Sequence, residues 1–258
     1  MASVFAVVNQ KGGVGKTTTA VNVAACLAAA GERTLLVDTD PQGNATSGVG
    51  AVKAELEACV YDVLINEVPI ERVIVPTETN GLDLVPAKLD LAGADIELMS
   101  TMSRETKLKQ ALGRVGDRYE FIIIDCPPSL GLLTVNVLTA AHYVILPIQC
   151  EFYALEGISQ LLKTIDLVHQ HLNPDIEIAK VLLTMFDYRT NLSQQVVDEV
   201  RGWFGERVSS VLVPRNVRLS EAPSHGRPII SYDPKSKGAE AYTKFAAEVA
   251  SFGKERAR

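Results

Sequence analysis

Short apolar segments alternate with longer amphipathic segments along the whole chain. The apolar segments predict strands over residues 3–8, 34–37, 82–85, 121–124, 143–146, 181–183 and 208–213. The amphipathic segments predict helices over residues 17–30, 92–115, 130–140, 154–171, 192–204 and 238–252. Strands that lack polar alternation are buried on both faces, and strands that alternate with helices favour parallel pairing. The pattern therefore predicts an α/β fold: a mostly parallel, twisted sheet with helices on both faces.

Composition supports a single globular domain over residues 1–258, with 47% hydrophobic and 22% charged residues. We find no internal repeat and no linker rich in Pro, Gly or Ser. No apolar run approaches the roughly 18 residues of a membrane span. The N-terminal segment lacks the basic region of a signal peptide, and the four cysteines form no C-x-x-C pair. We therefore expect a cytoplasmic protein with reduced thiols and no membrane association.

The formal net charge is −6, and the charges are distributed unevenly along the chain. From Asp187 onward there are 12 Lys and Arg against 9 Asp and Glu, whereas the first 186 residues carry 13 against 22. The C-terminal third could present a basic surface that binds a polyanion, or its charges could belong to an ordinary solvated face.

A glycine-rich loop lies between the first predicted strand and the first predicted helix. Residues 10–17 read Gln-Lys-Gly-Gly-Val-Gly-Lys-Thr. Glycines allow backbone N–H groups to turn inward around phosphate oxygens, and the following helix adds the positive end of its dipole. In such a loop Lys16 contacts the β- and γ-phosphates of a nucleotide, and the Thr17 hydroxyl binds Mg²⁺. We therefore predict a P-loop nucleotide site formed by Lys11, Gly12, Gly13, Val14, Gly15, Lys16, Thr17 and Thr18.

Three carboxylates follow predicted strands at the same edge of the sheet. Asp38 and Asp40 come after the second strand, and Asp125 comes after the Phe-Ile-Ile-Ile strand. Ligands bind at the carboxyl ends of the strands in open α/β sheets, so these residues should surround the P-loop. For Asp38 alone, a role as a helix cap remains an alternative to metal binding.

The loop departs from the common pattern G-x-x-x-x-G-K-[ST], because Gln10 replaces the first glycine and Lys11 follows it. The sequence Lys-Gly-Gly-Val-Gly-Lys-Thr resembles the deviant Walker A box. Along nearly its whole length the chain also resembles the ParA/Soj chromosome-partitioning ATPases. The matching stretches are Asp-Pro-Gln-Gly-Asn-Ala-Thr at 40–46, Pro-Ile-Gln-Cys-Glu-Phe-Tyr-Ala-Leu-Glu-Gly at 147–157 and Pro-Arg-Asn-Val-Arg-Leu-Ser-Glu-Ala-Pro-Ser-His-Gly at 214–226.

The resemblance implies Mg²⁺-dependent ATP hydrolysis with roles for particular residues. Lys11 would be the signature lysine that reaches the partner's nucleotide in a dimer and acts in catalysis with Lys16. Asp40 would position the attacking water, and Asp125 would be the Walker B residue that binds Mg²⁺ through water. Asp38 would support magnesium binding from behind the residues that contact the ion. Pro214 and Asn216 would contact the adenine base, and residues 41–50 and 126–131 would be switch segments.

The resemblance also implies an ATP-dependent homodimer that binds double-stranded DNA without sequence preference and associates with the nucleoid. A ParB-type partner would stimulate hydrolysis and release the dimer. Phosphate contact needs a contiguous stripe of positive charge and carries no sequence information. The candidate DNA contacts are Arg189, Arg215, Arg218, Arg227, Lys235 and Lys237. The chain begins directly at the P-loop strand, so we expect no N-terminal helix-turn-helix domain and no operator-specific repression.

Two alternatives share the same loop. A MinD-like membrane-cycling ATPase would use an amphipathic C-terminal helix, but Glu240, Glu248 and Glu255 on that segment oppose anionic lipid. A metabolic enzyme, such as a nitrogenase-type iron protein or an amidoligase, would need cluster-binding cysteines or room for a second substrate.

Overall fold

The structure, a computed structural model, describes residues 2–152, 154–155 and 157–256. Within these residues there are eight strands: Ser3–Val7 (β1), Thr34–Asp38 (β2), Val75–Pro76 (β3), Leu82–Val85 (β4), Phe121–Asp125 (β5), Tyr143–Gln149 (β6), Glu177–Phe186 (β7) and Val208–Pro214 (β8). The same residues form eleven α-helices: Lys16–Ala29 (α1), Asn44–Gly48 (α2), Val60–Leu64 (α3), Ala94–Leu98 (α4), Lys107–Gly113 (α5), Leu132–Ala140 (α6), Ile158–His171 (α7), Asn191–Phe204 (α8), Val217–Glu221 (α9), Ile229–Tyr232 (α10) and Lys237–Arg256 (α11).

The strands form one sheet in the order β3-β4-β2-β5-β1-β6-β7-β8, and every neighbouring pair is parallel except β3 with β4. The predicted α/β class and mostly parallel sheet are therefore confirmed. The register aligns Val7 and Asp38 with Asp125, so β1, β2 and β5 end side by side. This places the P-loop and the predicted carboxylates at one edge of the sheet.

Helices cover both faces of the sheet. On β1, Val4 and Ala6 belong to the core under α3 to α8, while Phe5 and Val7 belong to the core under α1 and α9 to α11. Side chains alternate between the two faces along a strand, and both faces are covered here, so every β1 residue is buried. This burial explains why the strand shows no alternation of polar and apolar residues. Among the described helices, none has both the length and the apolar character needed to cross a bilayer.

The prediction of one helix over residues 92–115 is wrong, because the chain forms α4 and α5 with an irregular segment between them. Ser100 and Thr101 donate their hydroxyls to the carbonyls of Glu97 and Leu98, and Ser103 has a positive φ of 53°. Short polar side chains that bind the nearby backbone compete with helix formation, which explains the interruption.

The helix predicted over residues 154–171 starts at Ile158 instead, after Gly157, which has a left-handed conformation at the N-cap. Tyr153 and Glu156 of the 147–157 stretch lie outside the described residues. The two-residue antiparallel strand β3 was not predicted, because a pair of residues shows no periodicity. The family-like stretch at 214–226 contains α9, and the predicted switch segment at 41–50 contains α2.

Candidate nucleotide site and basic surface

The P-loop connects β1 to α1, which begins at Lys16. Gly13 and Gly15 have φ values of 76° and 90°, in the left-handed region that only glycine adopts at little cost. Gly15 is the N-cap of α1, and no side chain caps that end of the helix. The first N–H groups of α1 therefore face the loop, where an anion can accept their hydrogen bonds.

Three side-chain bonds fix the entrance of the loop. Asn9 Nδ2 donates to the Pro147 carbonyl at 2.8 Å, and Asn9 Oδ1 accepts the Lys11 N–H at 3.0 Å. Gln10, which stands where the common pattern has glycine, donates its Nε2 to the Gly157 carbonyl at 2.7 Å. The unusual residue of the loop thus connects it to the N-terminus of α7.

The two loop lysines differ in environment. Lys16 is buried, and its Nζ donates to the Lys11 carbonyl at 3.1 Å. Burial lowers the pKa of Lys16 below its ordinary value, while the charge of Asp125 opposes this change. Lys11 is partly exposed, with its Nζ 3.7 Å from Glu151 Oε2. Lys16 thus faces inward to the loop, whereas Lys11 lies where a second molecule could reach it.

Asp125 is fully buried at the end of β5, and neither carboxylate oxygen makes a hydrogen bond of normal geometry with the described residues. Burial raises the pKa of Asp125 well above its ordinary value, the Asp38 charge adds to the rise, and the Thr17 hydroxyl and Lys16 oppose it. A buried carboxylate whose oxygens lack such hydrogen bonds keeps lone pairs and negative charge available to a cation. These properties fit Mg²⁺, which proteins bind through one or two carboxylates together with substrate phosphates.

Asp38 is also fully buried, but its oxygens are occupied. Its Oδ2 accepts the N–H and the hydroxyl of Thr46 at 2.7 Å each, and its Oδ1 accepts the Asp40 N–H at 3.1 Å. Burial raises the pKa of Asp38 to about 6, and the bonds from Thr46 oppose the rise. Asp38 therefore attaches α2 to the end of β2, and its contribution to a magnesium site stays a prediction.

Asp40 lines a cavity of ≈ 350 Å³, which we call the phosphate cavity because the P-loop glycines and Lys16 also line it. Its Oδ1 accepts the Gln42 N–H at 2.9 Å, which leaves Oδ2 free of a hydrogen bond to the described residues. The cavity brings Asp40 together with six of the eight predicted loop residues, all except Lys11 and Val14. Its lining is Gly12, Gly13, Gly15, Lys16, Thr17, Thr18, Asp40, Gln42, Asn44, Pro128 and Met185.

A second cavity of ≈ 410 Å³ adjoins the first, because Gly15, Thr18 and Met185 line both. Its other walls include the apolar side chains of Val213 and Leu219 and both predicted base contacts, Pro214 and Asn216. Asn216 Oδ1 accepts the Arg218 N–H at 2.8 Å as the N-cap of α9. The second cavity therefore has partly apolar walls beside the phosphate cavity, as ligand pockets commonly do, and the contact of Pro214 and Asn216 with a base stays a prediction.

Sequence reasoning missed three residues of this site: Asn9, Thr184 and Met185. Thr184 and Met185 end an apolar strand segment, and Met185 has a φ of 53°, which is rare for a residue with a long side chain. Asn9, which directly precedes the loop, could have been proposed as a loop anchor from its residue type alone. Nothing in the sequence marks the conformation of Met185.

All six candidate DNA contacts are exposed. Two of them pair with neighbouring carboxylates: Arg189 donates Nε and Nη2 to Asp187 at 2.9 and 2.8 Å, and Arg218 lies 2.9 Å from Glu221 and 3.4 Å from Asp233. The Arg189 guanidinium holds the pKa of the Asp187 carboxyl well below its usual range. The other four differ in surroundings. Arg215 lines the second cavity, and Lys237 lines a groove with the exposed Tyr188. Arg227 lines a further cavity that Thr17 also lines, and Lys235 precedes α11.

The 214–226 stretch contacts the segment that follows α2. Gly226 and Gly50 both have positive φ values, and a Cβ atom on Gly226 would lie 3.0 Å from the Gly50 Cα. The buried Asn22 of α1 accepts the Ile229 N–H at 2.7 Å and donates to the Thr18 carbonyl at 2.8 Å. The 214–226 stretch therefore lies directly against the predicted switch segment at Gly50, and α10, which follows it, is bonded to α1.

Comparison with known proteins identifies relatives of this chain. A family model described as an AAA domain matches residues 2–178. The sporulation initiation inhibitor protein Soj of Bacillus subtilis (strain 168) is 59% identical over 253 residues, which cover 98% of this chain and 100% of that protein. The chromosome partitioning protein ParA of Myxococcus xanthus (strain DK1622) is 56% identical over 95% of this chain and 87% of its own length. The crystal structure of cobyrinic acid a,c-diamide synthase from Mycobacterium smegmatis with bound ADP and magnesium is 42% identical, with a TM-score of 0.85 over 96% of this chain and 93% of that one.

The fold and the loop geometry define the class of protein, a P-loop ATPase of the ParA/MinD type. Within that class the chain belongs to the Soj/ParA family of chromosome-partitioning ATPases. The family resemblance predicted from the sequence is confirmed.

Proposed function

We propose that the protein is an ATP-dependent DNA-partitioning ATPase whose ATP-bound dimer binds DNA without sequence preference. The observation that carries the proposal is the phosphate cavity, where the P-loop glycines and Lys16 lie together with Asp40. Asp125, whose carboxylate makes no hydrogen bond of normal geometry with the described residues, ends the strand next to β1. Phosphoryl transfer depends mainly on positioning and charge neutralisation, which this arrangement can supply.

ATP and Mg²⁺ are the proposed cofactors. Thr17 and Asp125 would hold Mg²⁺, with Asp38 behind them, and the bound ion would neutralise charge on the β- and γ-phosphates. Lys16 would contact the same phosphates, and the free Oδ2 of Asp40 would accept a hydrogen bond from the attacking water. The adjoining apolar cavity, with Pro214 and Asn216, would receive the adenine base.

A homodimer is part of the proposal. Lys11 is partly exposed at the mouth of the loop, and its only ion pair among the described residues is the 3.7 Å contact with Glu151. That separation is long for an ion pair on a partly exposed surface, where such pairs contribute little. The ammonium group can therefore leave Glu151 and contact the phosphates of a nucleotide bound to the partner subunit.

The DNA-binding step rests on the exposed basic residues of the C-terminal third. One acidic monomer offers few cations, but a dimer doubles them on one surface, and two linked contacts with one duplex strengthen binding without any new interaction. Arg189 and Arg218 keep free N–H donors after pairing with their carboxylates, because a guanidinium has five. We propose that a ParB-type partner stimulates hydrolysis and releases the dimer from the nucleoid.

Two alternative functions can be distinguished from the proposed one by experiment. A membrane-cycling ATPase needs a free amphipathic helix, whereas the apolar side of α11, including Tyr242, Phe245 and Val249, is buried in the core. An amidoligase is suggested by the name of the diamide synthase structure, but the identity to Soj, 59%, exceeds the 42% to that enzyme. ATP-dependent liposome flotation would favour the first alternative, and glutamine-dependent amidation of an added corrinoid acid would favour the second.

Measurement of phosphate release tests the catalytic part of the proposal. The wild-type protein should hydrolyse Mg-ATP, and random duplex DNA with a ParB-type protein should increase the rate. Asp40→Ala should bind ATP and dimerise but lose hydrolysis, because only the positioning of water is removed. Lys16→Ala should lose nucleotide binding itself. Hydrolysis by Asp40→Ala at the wild-type rate would show that this residue has another role.

A further inference from the structure

Thr184 is a polar residue inside the core, at the end of β7 nearest the P-loop. It is 2% exposed, and the preceding residues Leu182 and Leu183 are fully buried. A hydroxyl in such surroundings is costly unless it is hydrogen-bonded. Its Oγ1 donates to the Val14 carbonyl at 2.8 Å, with the Ile148 carbonyl as a longer alternative at 3.3 Å. The hydroxyl is therefore directed at the backbone of the P-loop.

The contact determines how one peptide unit of the loop is oriented. In a planar trans peptide, the carbonyl of one residue and the N–H of the next point in opposite directions. Because the Val14 carbonyl points to Thr184, the N–H of Gly15 points away from it. Gly15 lines the phosphate cavity, and within the described residues its N–H makes no hydrogen bond of its own. A donor that points away from Thr184 and has no hydrogen bond within the described residues is available to a phosphate oxygen.

The peptide between Val14 and Gly15 needs such a contact, because on its Gly15 side it is free to rotate. Gly15 lacks a Cβ and has a φ of 90°, so its own side-chain sterics do not hold the peptide plane in one orientation. We propose that Thr184 is a positioning residue of the nucleotide site: its hydroxyl holds the Val14 carbonyl and so aims the Gly15 N–H at the phosphates. This inference rests on the proposed nucleotide-binding function.

Substitutions at Thr184 separate the hydroxyl from the shape of the side chain. Thr184→Val keeps the branched shape and removes the donor, whereas Thr184→Ser keeps the donor. Thr139→Val is the matched control, because Thr139 is fully buried in α6 and its Oγ1 donates to the Val135 carbonyl at 2.7 Å, outside the cavities that form the nucleotide site. The thermal midpoint of each nucleotide-free variant reports the structural cost, and calorimetric titration with Mg-ADP and Mg-ATP reports the positioning.

We expect Thr184→Val to bind both nucleotides about tenfold more weakly, because the hydrogen bond from the Gly15 N–H to the charged phosphate would be misaligned. Thr184→Ser should stay within about twofold of the wild type, because the hydroxyl can make the same bond. Thr139→Val should lose thermal stability without a change in nucleotide affinity. If Thr184→Val does not fold, Thr184→Cys replaces it, and its weak S–H donor should give an intermediate loss.

Two results would overturn the inference while leaving the proposed function intact. One is wild-type affinity in Thr184→Val, and the other is an equal loss of affinity in the Ser and Val variants. By contrast, a wild-type protein that binds neither nucleotide would refute the proposed function, and this inference with it.

Discussion

Asp125→Asn is the substitution that tests most sharply how the site is built. Asp125 is fully buried, and its carboxylate has no hydrogen-bond partner of normal geometry among the described residues. Asparagine has the same shape but no charge. We expect this variant to stabilise the nucleotide-free protein and at the same time to remove its response to magnesium.

The size of the effect follows from the cost of burial. An unsatisfied buried polar group costs about 1–3 kcal/mol, and a charged one costs more. Asparagine still buries polar atoms, and Lys16 loses a nearby opposite charge, so we expect a net gain of about 1–2 kcal/mol in the free energy of unfolding. For a protein of this size each kcal/mol raises the thermal midpoint by roughly 2–4 °C, so the midpoint should rise by about 2–8 °C.

The gain should depend on pH, because the pKa of Asp125 is raised in the folded protein. Below the unfolded pKa of about 4, the carboxyl is protonated in both states, and Asp125→Asn should resemble the wild type. As the pH rises, the unfolded state ionises first, so the wild type loses stability relative to the variant until the folded carboxyl ionises as well. The advantage of the variant should therefore increase from pH 4 toward neutral pH.

The assay is thermal unfolding of nucleotide-free protein from pH 4 to 8, then with ADP in magnesium or in EDTA. Asp166→Asn, which removes an exposed carboxylate on α7, is the control for charge alone. Magnesium should raise the midpoint of the ADP-bound wild type and have no effect on Asp125→Asn. If the nucleotide-free Asp125→Asn protein has a lower thermal midpoint than the wild type at neutral pH, burial of this carboxylate does not destabilise the protein and the reasoning is refuted.

Three further substitutions examine other parts of the account. Lys11→Ala should bind Mg-ATP but stay monomeric in light scattering, because only the cross-interface cation is lost; normal dimerisation would contradict its assignment. Asp187→Asn should tighten ATP-dependent DNA binding several-fold and steepen its salt dependence, because the carboxylate repels phosphates beside Arg189; unchanged binding would place Arg189 away from the DNA. Gly226→Ala should unfold at a lower temperature than Gly31→Ala, since both glycines have positive φ but only Gly226 faces backbone atoms within 4 Å; equal midpoints would show that the contact tolerates a side chain.

Much of the fold was predictable because its signals are local. The alternation of apolar strands and amphipathic helices indicates a parallel sheet, and the Gly-rich loop locates the site on it. Asp125 and Asp38 were predicted to lie at one edge of the sheet because both follow parallel strands, and the register between β2 and β5 places them opposite each other. Such features depend on the periodicity of apolar residues, which a sequence displays directly, and on the parallel pairing that this periodicity indicates.

The remaining features depend on contacts between distant segments. Thr184 reaches the P-loop across 170 positions of sequence, and its residue type is equally consistent with an ordinary strand. Ser103 interrupts the predicted 92–115 helix through its positive φ, which local propensity does not reveal. The pairing of Arg218 with Asp233 depends on how α9 and the segment after α10 lie together, so a count of charges could not predict it.

The central claim is that ATP controls binding to DNA through the basic surface. An electrophoretic mobility shift with random-sequence duplex DNA tests it most directly, with wild type, Arg189→Glu and Arg218→Glu each in Mg-ADP and in Mg-ATP. We expect the wild type to shift the DNA in ATP alone, both variants to lose that shift, and all three proteins to dimerise normally with ATP. Equal binding of the wild type in ADP and ATP, or unchanged binding by both variants, would contradict it.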